Sequence, residues 1–562
     1  MLTRLLRTLR TVRYLKPAQL YWFVRRRVIK TQFQATSLPV LISARSWAWP
    51  LPLQRDSGEQ IDTVSFCFLN IDKQFSAGAM NWAPQDVNRL WRYNLHYFDF
   101  LLDEQRPLAE KNALMLDWIR QNLVGSEPAW EPYTASLRIV NWCKWLSVRP
   151  FGDADQDFTE VCRSLYEQAL WLENNLELHI LANHYLENLK ALIFAGTLFS
   201  GSDAARWLTL GLAEMRVQLD EQILPDGCHY ERTPQYHCVI LDDVLDLLQL
   251  TQLTPDVFAA DFVDLLRVSA VKMAAFLADI LNPLDQYPLF NDSAFYDDCP
   301  TDILQRATDL GVVYAKPASS ARLIQRHDAG FYGYRAGGDW IMFDCGEIGP
   351  DYQPGHTHCD FLSYELVIDH IPVVVDTGVL EYEPGAMRHY VRQTSSHNTV
   401  QVDDAEQSEV WGEFRVARRA SKEAAFIQFG EQDVEFQGSF FGFHAAGGVM
   451  HKRRVTITCN ADRVPTSWQF NDQLIGKGRH RVRSFMHLHP EITPSLENDG
   501  VYLRYRDKCL AVVCFDAGLD IRLEDAVYCP QFGLKQHCQK IVMERELGLP
   551  AQLGYLIIRK DL

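Results

Sequence analysis

Apolar residues recur every three to four positions from about residue 85 to 315, which is the period of a helix that buries one face. One such series is Val161, Leu165, Ala169 and Leu172. Polar or Pro/Gly breaks separate the series at 125–128, 150–153, 201–203, 225–227 and 282–283. Because strand-like alternation is nearly absent here, the pattern predicts an array of helical hairpins.

The pattern changes after Lys316 and Pro317. From Phe331 onward, short β-rich runs alternate with Gly, Asp and Asn, which is typical of strands joined by turns. These runs are 340–343, 371–375, 399–402, 455–459, 482–486, 510–515 and 553–558. Helices followed by strands predict an α+β chain and exclude the alternating order of TIM barrels and doubly wound sheets. We divide the chain into a basic arm (1–50), a helical domain (51–315) and an antiparallel β domain (316–562).

The first thirty residues carry nine Lys and Arg side chains and no acid. Within them, apolar residues at helical spacing predict an amphipathic helix: Leu2, Leu5, Leu6, Leu9 and Val12. Arginine at every third position interrupts the apolar stretch that a secretory signal needs, so we expect no cleaved signal. The expected location is cytoplasmic or peripheral to the inner membrane, with the periplasm as the alternative. Residues 1–30 are expected to contact a membrane or a partner, or to dock on the acidic body of the chain.

Composition narrows the classes of function. The net charge of -17, from 55 basic and 72 acidic residues, argues against nucleic-acid binding. Thirteen scattered cysteines without a CxxC pair indicate free thiols in a reducing compartment. No apolar run is long enough to span a membrane. The aromatic content of 12% suits both sugar stacking and a large core.

A first polar cluster, residues 183–188, opens a predicted helix with the sequence Asn-His-Tyr-Leu-Glu-Asn. Spacings of three and four place His184, Glu187 and Asn188 on one face, with Asn183 beside Glu187. These polar groups crowd one end of a helix whose later turns are apolar. Either a binding site or a capped helix start explains them.

A second cluster fills the loop 226–237, which packs acids, bases, two tyrosines and two histidines between helical runs. Loops on rigid scaffolds commonly carry function. A tyrosine in this loop can donate or accept a proton when a neighbouring cation lowers its pKa, and Arg232 or a histidine offers that charge. A purely structural, hydrogen-bonded loop is the alternative.

The third cluster, residues 349–360, contains Gly-His-x-His-x-Asp at the head of the β domain. In a strand, His356 and His358 would share one face, which suits a metal or an anionic substrate. A cupin would need a glutamate closer than Glu365, and an amidohydrolase would need an alternating barrel. The interpretation that remains is a Zn site of His358, Asp376 and His397, or separate loop residues.

Taken together, these segments resemble the heparinase II/III-like polysaccharide lyases and related alginate lyases. The resemblance runs from about Trp91 to Ala420. Its motifs are 91–97 (Trp-Arg-Tyr-Asn-Leu-His-Tyr), 131–142, the Asn-His segment, Glu-Arg-x-Pro-x-Tyr-His, Gly-His-x-His-x-Asp and Ser-His-Asn-Thr-Val. It implies an incomplete (α/α) toroid followed by a β-sandwich, in agreement with the order of helices and strands.

The resemblance also implies roles for individual residues. Asn183 is similar to the residue that neutralises a uronate carboxylate, with His184 beside it, and Tyr236 and His356 resemble the family's catalytic pair. His358, Asp376 and His397 match a zinc site of some members. The expected substrate contacts are Glu187, Arg232, Trp91, Tyr93, Trp142 and Arg388.

The expected function is a polysaccharide lyase that cleaves an acidic, uronate-containing polysaccharide by β-elimination, with helical and β residues meeting at the active site. β-Elimination needs a neutralised carboxylate, a base at C5 and an acid for the departing O4, and the chain offers all three. The alternatives are a glycoside hydrolase using Glu187, Glu231 or Asp360, and a glycan-binding or exopolysaccharide-assembly protein without activity.

Overall fold

The computed structural model describes residues 2–28, 47–51, 63–76, 78–148, 156–295, 299–318 and 320–560. The predicted break at 150–153 and residues 29–46 of the arm lie outside these ranges. Contacts divide the chain into two units. The helical unit comprises Lys16–Gln222 and Asp242–Ser269, and the sheet unit comprises Met1–Leu15, Ile223–Leu241 and Ala270–Leu562. Segments 223–241 and 270–315, assigned above to the helical domain, therefore group with the sheets.

The described helices include the predicted ones and two others, at 17–28 and 386–391. They are α1 (Leu2–Val12), α2 (Pro17–Val28), α3 (Arg89–Tyr97), α4 (Leu108–Gln121), α5 (Pro132–Ser147), α6 (Gln156–Glu173), α7 (Ala182–Leu198), α8 (Ser202–Gln222), α9 (Pro234–Leu253), α10 (Ala260–Ile280), α11 (Pro300–Asp309) and α12 (Ala386–Val391). Short 3₁₀ turns cover Asp99–Leu101, Thr394–Ser396 and His444–Ala446. Among the described helices, none is both long and apolar enough to cross a membrane.

Tryptophans form much of the core of the helical unit. Trp91, Trp118 and Trp142 have no exposed surface, and the Trp118 and Trp142 rings meet edge to face at 5.6 Å. The guanidinium of buried Arg138 lies 4.0 Å from the centre of the Trp118 ring. The expectation that Trp91 and Trp142 contact substrate is therefore wrong, because a fully buried ring cannot stack on a sugar.

The described strands begin with a hairpin in the region that was expected to be helical: β1 (Thr63–Phe68) and β2 (Ile71–Ser76). The others are β3 (Arg322–Arg326), β4 (Phe331–Ala336), β5 (Asp339–Asp344), β6 (Tyr364–Ile368), β7 (Ile371–Val374), β8 (Val400–Val402), β9 (Val410–Trp411), β10 (Arg415–Val416), β11 (Ser421–Phe429), β12 (Asp433–Gly442), β13 (Val449–Cys459), β14 (Pro465–Ile475), β15 (Arg479–His487), β16 (Ile492–Glu497), β17 (Gly500–Tyr505), β18 (Lys508–Phe515), β19 (Asp520–Gln531), β20 (Leu534–Gly548) and β21 (Ala551–Arg559). Each of the seven predicted runs falls on one of these strands.

Three antiparallel sheets organise the sheet unit. The strand orders are β3-β4-β5-β6-β7, β11-β12-β13-β14-β21-β18-β17-β16 and β19-β20-β15-β8. Every second residue of β13 is buried, which is the period of a strand with one face on a core. Phe343 of β5 stacks on Phe436 of β12 with ring centres 4.0 Å apart, so the first two sheets share one apolar core.

Candidate active site

Tyr236 lies in the first turn of α9, directly after the polar loop 223–233. The loop is held against the rest of the sheet unit by Asp226, whose carboxylate accepts hydrogen bonds from the backbone amides of Asp328 and Ala329. Gly227 has φ +93°, and a Cβ there would lie 2.2 Å from the Lys272 carbonyl oxygen. Only glycine permits this close approach. The loop therefore reaches α9 in a fixed position.

Asn291 joins this loop to the Gly-His-x-His segment. Its side chain donates to the Arg232 carbonyl at 3.2 Å and accepts from the His358 backbone amide at 3.1 Å. Its own amide donates to Asp360 at 2.8 Å. Asn291 has φ +57°, a left-handed conformation that asparagine tolerates better than most residues. These bonds place the next residue, Asp292, at the centre of the site.

Asp292 is fully buried and contacts three cationic or basic side chains. Its Oδ2 lies 3.0 Å from Nδ1 of His356, and its Oδ1 lies 2.7 Å from Nε2 of His358. Arg388 donates to both oxygens, at 2.7 Å for Oδ2. Burial opposes ionisation of Asp292, but Arg388 and the two histidines hold the pKa of this carboxyl well below its usual range. The Asp292 carboxylate is therefore charged at neutral pH.

The Tyr236 and His356 rings lie against each other, with centres 4.0 Å apart and planes 31° from parallel. The Tyr236 hydroxyl is 3.3 Å from that of Tyr382, and Nε2 of His356 is 3.5 Å from the Glu231 carboxylate. The exposed Phe414 ring lies 6.2 Å from the His356 ring and 5.3 Å from Tyr382. A phenol, an imidazole and an open aromatic face thus meet in one place.

The expected influence of Arg232 on Tyr236 is not found. Arg232 donates to the Asp328 carbonyl instead. Burial, which the hydrogen bond with Tyr382 only partly offsets, raises the pKa of Tyr236. The phenol therefore keeps its proton at neutral pH.

His358, Asp360 and His397 form a buried group in which one candidate ligand atom from each lies within 4.8 Å of the others. Among the described residues, Nδ1 of His358 and Nε2 of His397 have no hydrogen-bond partner. The opposite nitrogens face carboxylates: Nε2 of His358 meets Asp292, and Nδ1 of His397 lies 2.7 Å from Asp376. A histidine held this way by a carboxylate is the usual arrangement of metal ligands, so the donor set fits a cation.

This geometry corrects the expected ligand set at one position. Asp376 was expected as a ligand, but its carboxylate lies behind the His397 ring, and Asp360 occupies the place beside the free nitrogens. Burial favours the neutral ring, but Asp376 and Asp360 raise the pKa of His397. Burial lowers the pKa of His358 to about 4, so that ring is neutral and able to bind a cation.

Asn183 and His184 open α7 in the helical unit. Two left-handed residues precede them, Leu181 at φ 67° and Ala182 at φ 54°, and such backbone strain is common at functional sites. Asn183 is buried, whereas His184 keeps a third of its side-chain surface. Nδ1 of His184 lies 3.2 Å from the Glu177 carboxylate, and its ring packs 4.5 Å from Tyr133. The exposed edge of His184 is the part of this segment open to a ligand.

Glu187 does not contact substrate as expected. It is fully buried, 3.9 Å from the Lys190 ammonium, in a cluster that also contains Lys144, Asp243 and Asp246. Burial raises the pKa of Glu187 and, more strongly, that of Asp243. Glu187 is therefore part of the ionic core of the helical unit.

Two family models match consecutive parts of the chain between residues 66 and 555. The model described as Heparinase II/III N-terminus covers residues 66–310, and the one described as Heparinase II/III-like, C-terminal covers 319–555. The chain belongs to the heparinase II/III-like family. The two matches meet where helices give way to strands.

Relatives of this heparinase II/III-like protein include two curated heparin-sulfate lyases. The one from Pedobacter heparinus is 24% identical over 318 residues, which are 51% of this chain and 47% of the relative. The one from Bacteroides thetaiotaomicron is 22% identical over 381 residues, 58% of this chain and 54% of the relative. The matched region thus spans about half the length of these relatives.

Solved structures show the same fold. A crystal structure of heparinase III has a TM-score of 0.66 at 17% identity, covering 87% of this chain and 81% of that one. The heparan sulfate lyase of Pedobacter heparinus has a TM-score of 0.56 at 18% identity, covering 87% and 80%. The helical N-terminal part and the sheet-rich C-terminal part are therefore those of the heparinase II/III-like fold.

Arg388 and Tyr93, two further expected substrate contacts, form hydrogen bonds with neighbouring residues in this heparinase II/III-like protein. Arg388 is buried and committed to Asp292 and to the Glu413 carbonyl, so it positions the site and does not face a ligand. Tyr93 is half-buried, and its hydroxyl is hydrogen bonded to Glu131. Tyr93 remains partly exposed with the Arg89 guanidinium over its ring, whereas the contact expected of Arg388 is wrong.

Sequence reasoning missed Asp292, Tyr382 and Phe414. Asp292 follows the apolar run 287–290 as part of Asn-Asp-Ser, and polar residues directly after such a run were the available signal. Tyr382 and Phe414 lie in stretches without a recognisable pattern. Their role depends on contacts with residues that are distant in sequence, such as Tyr236, 146 positions away.

Proposed function

We propose that this protein is a polysaccharide lyase that cleaves an acidic, uronate-containing polysaccharide by β-elimination. The observation that carries the proposal is the stacked pair of Tyr236 and His356, with the buried Asp292 carboxylate fixing the imidazole. A proton donor and a proton acceptor are thus held side by side, as removal of a C5 proton and departure of O4 require. The heparin-sulfate lyases among its relatives support the same class of reaction.

In the reaction, the substrate loses one proton from C5 and gains one proton on O4. A base takes the C5 proton, the electron pair forms the C4–C5 double bond, and the C4–O4 bond breaks as O4 receives a proton. Tyr236 suits the acid role because burial raises its pKa and keeps it protonated. His356 suits the base role, since Asp292 faces Nδ1 and orients the ring, and we assign the C5 proton to Nε2, which also lies 3.5 Å from the Glu231 carboxylate. The C5 configuration of the substrate decides whether Tyr236 also serves as base.

Substrate binding is assigned to both polar and aromatic groups. By its resemblance to the family, the Asn183–His184 segment neutralises the uronate carboxylate and the charge that develops on it, with the exposed edge of His184 making the contact and buried Asn183 behind it. Phe414 and Tyr382 supply the aromatic surface beside His356. An exposed ring next to the reacting groups suits stacking on a sugar.

The metal site is part of the proposal. His358, Asp360 and His397 would hold one Zn²⁺, with Asp292 and Asp376 orienting the two imidazoles. A bound ion would supply positive charge that holds this buried polar cluster in place. Asp292, which contacts both His358 and His356, would in turn fix the position of the His356 ring. Two nitrogens and one carboxylate oxygen suit zinc better than the harder cations.

The finer features of fold and substrate also stay proposals. We expect the helices to form an incomplete (α/α) toroid and the sheets a β-sandwich, as the family resemblance implies. The substrate class is a 1,4-linked uronate polymer, with heparan-like, alginate-like and exopolysaccharide chains as the candidates.

The structure lends little support to the competing classes. The hydrolase alternative needs two carboxylates free to flank a glycosidic bond, yet Glu187 lies in an ionic core and Asp360 accepts from Asn291 inside the histidine cluster. A glycan-binding protein would not need a buried carboxylate behind its histidine.

The test is incubation with a panel of heparan sulfate, chondroitin, alginate and hyaluronan. Elimination produces an unsaturated uronate that absorbs in the ultraviolet, whereas hydrolysis produces reducing ends without that absorbance. Absorbance that rises with new reducing ends supports the proposal. New ends without absorbance would favour the hydrolase, and binding without cleavage would favour a glycan-binding protein.

A further inference from the structure

The N-terminal helix α1 is docked in an inverted orientation, with its polar face toward the rest of the protein and its apolar face outward. Arg7 and Arg10 each reach the Glu409 carboxylate at 3.2 Å, and the Thr11 hydroxyl accepts from the Trp411 indole at 3.0 Å. The polar face of the helix therefore faces the sheet unit. Helix α1 thus contacts an acidic group of its own chain, which was one of the expectations for the arm.

The apolar face of α1 points away from that contact. Leu5 and Leu9 are 56% and 57% exposed, and Leu6 and Val12 also remain exposed. A helix that served only to cover its own protein would bury these residues, since each buried leucine contributes about 1.5–3 kcal/mol. The ion pairs with Glu409 instead fix the helix with its leucines outward.

Neighbouring contacts hold this orientation. The Arg419 guanidinium lies 3.6 Å from the centre of the Tyr14 ring, just beyond the end of α1, and Arg418 joins Arg7 and Arg10 on Glu409. Burial opposes ionisation of Glu409, but Arg418 and Arg7 keep the pKa of its carboxyl below the usual range. The inverted helix is thus anchored by several contacts along its length and at its end.

The charges around the exposed leucines indicate what covers them. Arg4 and Arg13 are exposed and flank the apolar face, and residues 1–30 contain no acid although the chain carries a net charge of -17. In the helical unit, α2 has the same character by itself, with exposed Tyr21 and Phe23 and a run of three arginines at 25–27. Apolar residues flanked only by cations match an anionic lipid surface.

We propose that α1 attaches this protein to anionic lipid membranes by inserting Leu5, Leu6, Leu9 and Val12 into the interface while Arg7 and Arg10 hold the helix on Glu409. A single helix of this length gives reversible attachment that weakens with salt. The inference does not depend on the lyase proposal, because it uses no residue of the candidate active site.

The test is co-sedimentation of the full chain with sucrose-loaded vesicles of phosphatidylcholine, alone or mixed with phosphatidylglycerol. We expect pelleting with the mixed vesicles, little with phosphatidylcholine alone, and release by salt. The double variant Leu5→Gln/Leu9→Gln should bind the mixed vesicles at least about tenfold more weakly. The matched control is Leu123→Gln/Leu496→Gln, which changes two other exposed leucines and should bind like the wild type.

Three outcomes would overturn the proposal. One is a wild-type chain that does not bind vesicles containing phosphatidylglycerol. Another is a Leu5→Gln/Leu9→Gln variant that binds these vesicles as well as the wild type does. The third is a wild-type chain that is oligomeric in sedimentation velocity without lipid, together with a Leu5→Gln/Leu9→Gln variant that is monomeric. That result would assign the leucines to contact between copies of the chain. Measuring uronate cleavage by the same variant separates this question from the proposed activity, which should be unchanged.

Discussion

The Oδ2 atom of Asp292 lies 3.0 Å from Nδ1 of His356, although 64 residues separate them in sequence. The other oxygen of the same carboxylate meets His358, and Arg388 spans both oxygens. One buried carboxylate therefore links the proposed base to the proposed metal cluster. The first prediction tests this link.

Asp292→Asn should lower kcat about a hundredfold, because a neutral amide no longer stabilises a charged His356. It should also lower the melting temperature, since removing one partner of a buried ion pair costs about 3–5 kcal/mol. The double variant Asp292→Asn/Arg388→Met removes the stranded charge and should regain stability without regaining kcat. Recovery of both in the double variant would show that Asp292 acts only on stability. Calorimetry and the absorbance assay provide the two measurements.

Tyr236→Phe should lower kcat about a thousandfold with little change in KM, because the phenol proton is used only as O4 departs. Adding His356→Ala should cost little more, since the two groups act as one acid/base unit. The control is Tyr334→Phe on β4, which should keep full activity. It removes a hydroxyl that donates a hydrogen bond to the Arg463 carbonyl. Most of the wild-type rate remaining in Tyr236→Phe would exclude this tyrosine as the acid.

Phe414→Ala should raise KM about fivefold and leave kcat nearly unchanged, because an aromatic stacking contact contributes about 1 kcal/mol to binding. The comparison is Phe429→Ala, which removes a ring of similar exposure on β11. Steady-state kinetics on a confirmed substrate measures both. Equal effects of the two substitutions would show that Phe414 does not bind the sugar.

Glu365→Gln should stabilise the protein much more at pH 7 than at pH 5. Burial and the Asp376 charge raise the pKa of Glu365 to about 8, whereas in the unfolded chain the carboxyl titrates near its ordinary value. The folded state holds a proton that the unfolded state releases, so stability falls as pH rises from about 4 to 8. Glutamine removes this dependence and should gain up to about 3 kcal/mol at pH 7. Chemical denaturation at both pH values measures the free energy of unfolding. The control is Glu491→Gln, which changes an exposed glutamate. An equal gain at pH 5 would contradict the ionisation argument.

Elemental analysis of the purified protein should find close to one equivalent of zinc. Asp360→Asn should remove it, because a ligand oxygen is lost, whereas Asp376→Asn should weaken binding about 10- to 100-fold by loosening the His397 ring. The same order of effects should appear as chelator sensitivity of the melting temperature. Metal lost completely in Asp376→Asn but retained in Asp360→Asn would restore the ligand set expected from sequence. Protein without zinc or chelator sensitivity would exclude the site.

The sequence by itself determined the local features of this protein. Apolar periods of three to four residues define α6 and α7, and β-rich runs define strands such as β13, because secondary structure follows the spacing of apolar side chains. Polar and aromatic composition marked the segments that contain Tyr236 and His356, and the family resemblance selected these two residues as the pair. The two free nitrogens of the cluster belong to His358 and His397, both of which the sequence had selected.

Tertiary structure decided which side chains are buried and what pairs with them. Trp91, Trp142 and Glu187 resemble binding residues in sequence, but they pack in cores because neighbouring elements enclose them. Asp360 and Asp376 are both acids near histidines, and only the folded chain shows which one lies beside the free nitrogens. The outward leucines of α1 likewise depend on Glu409, about 400 residues away, since an amphipathic period fixes which side chains share a face but not which face meets the protein.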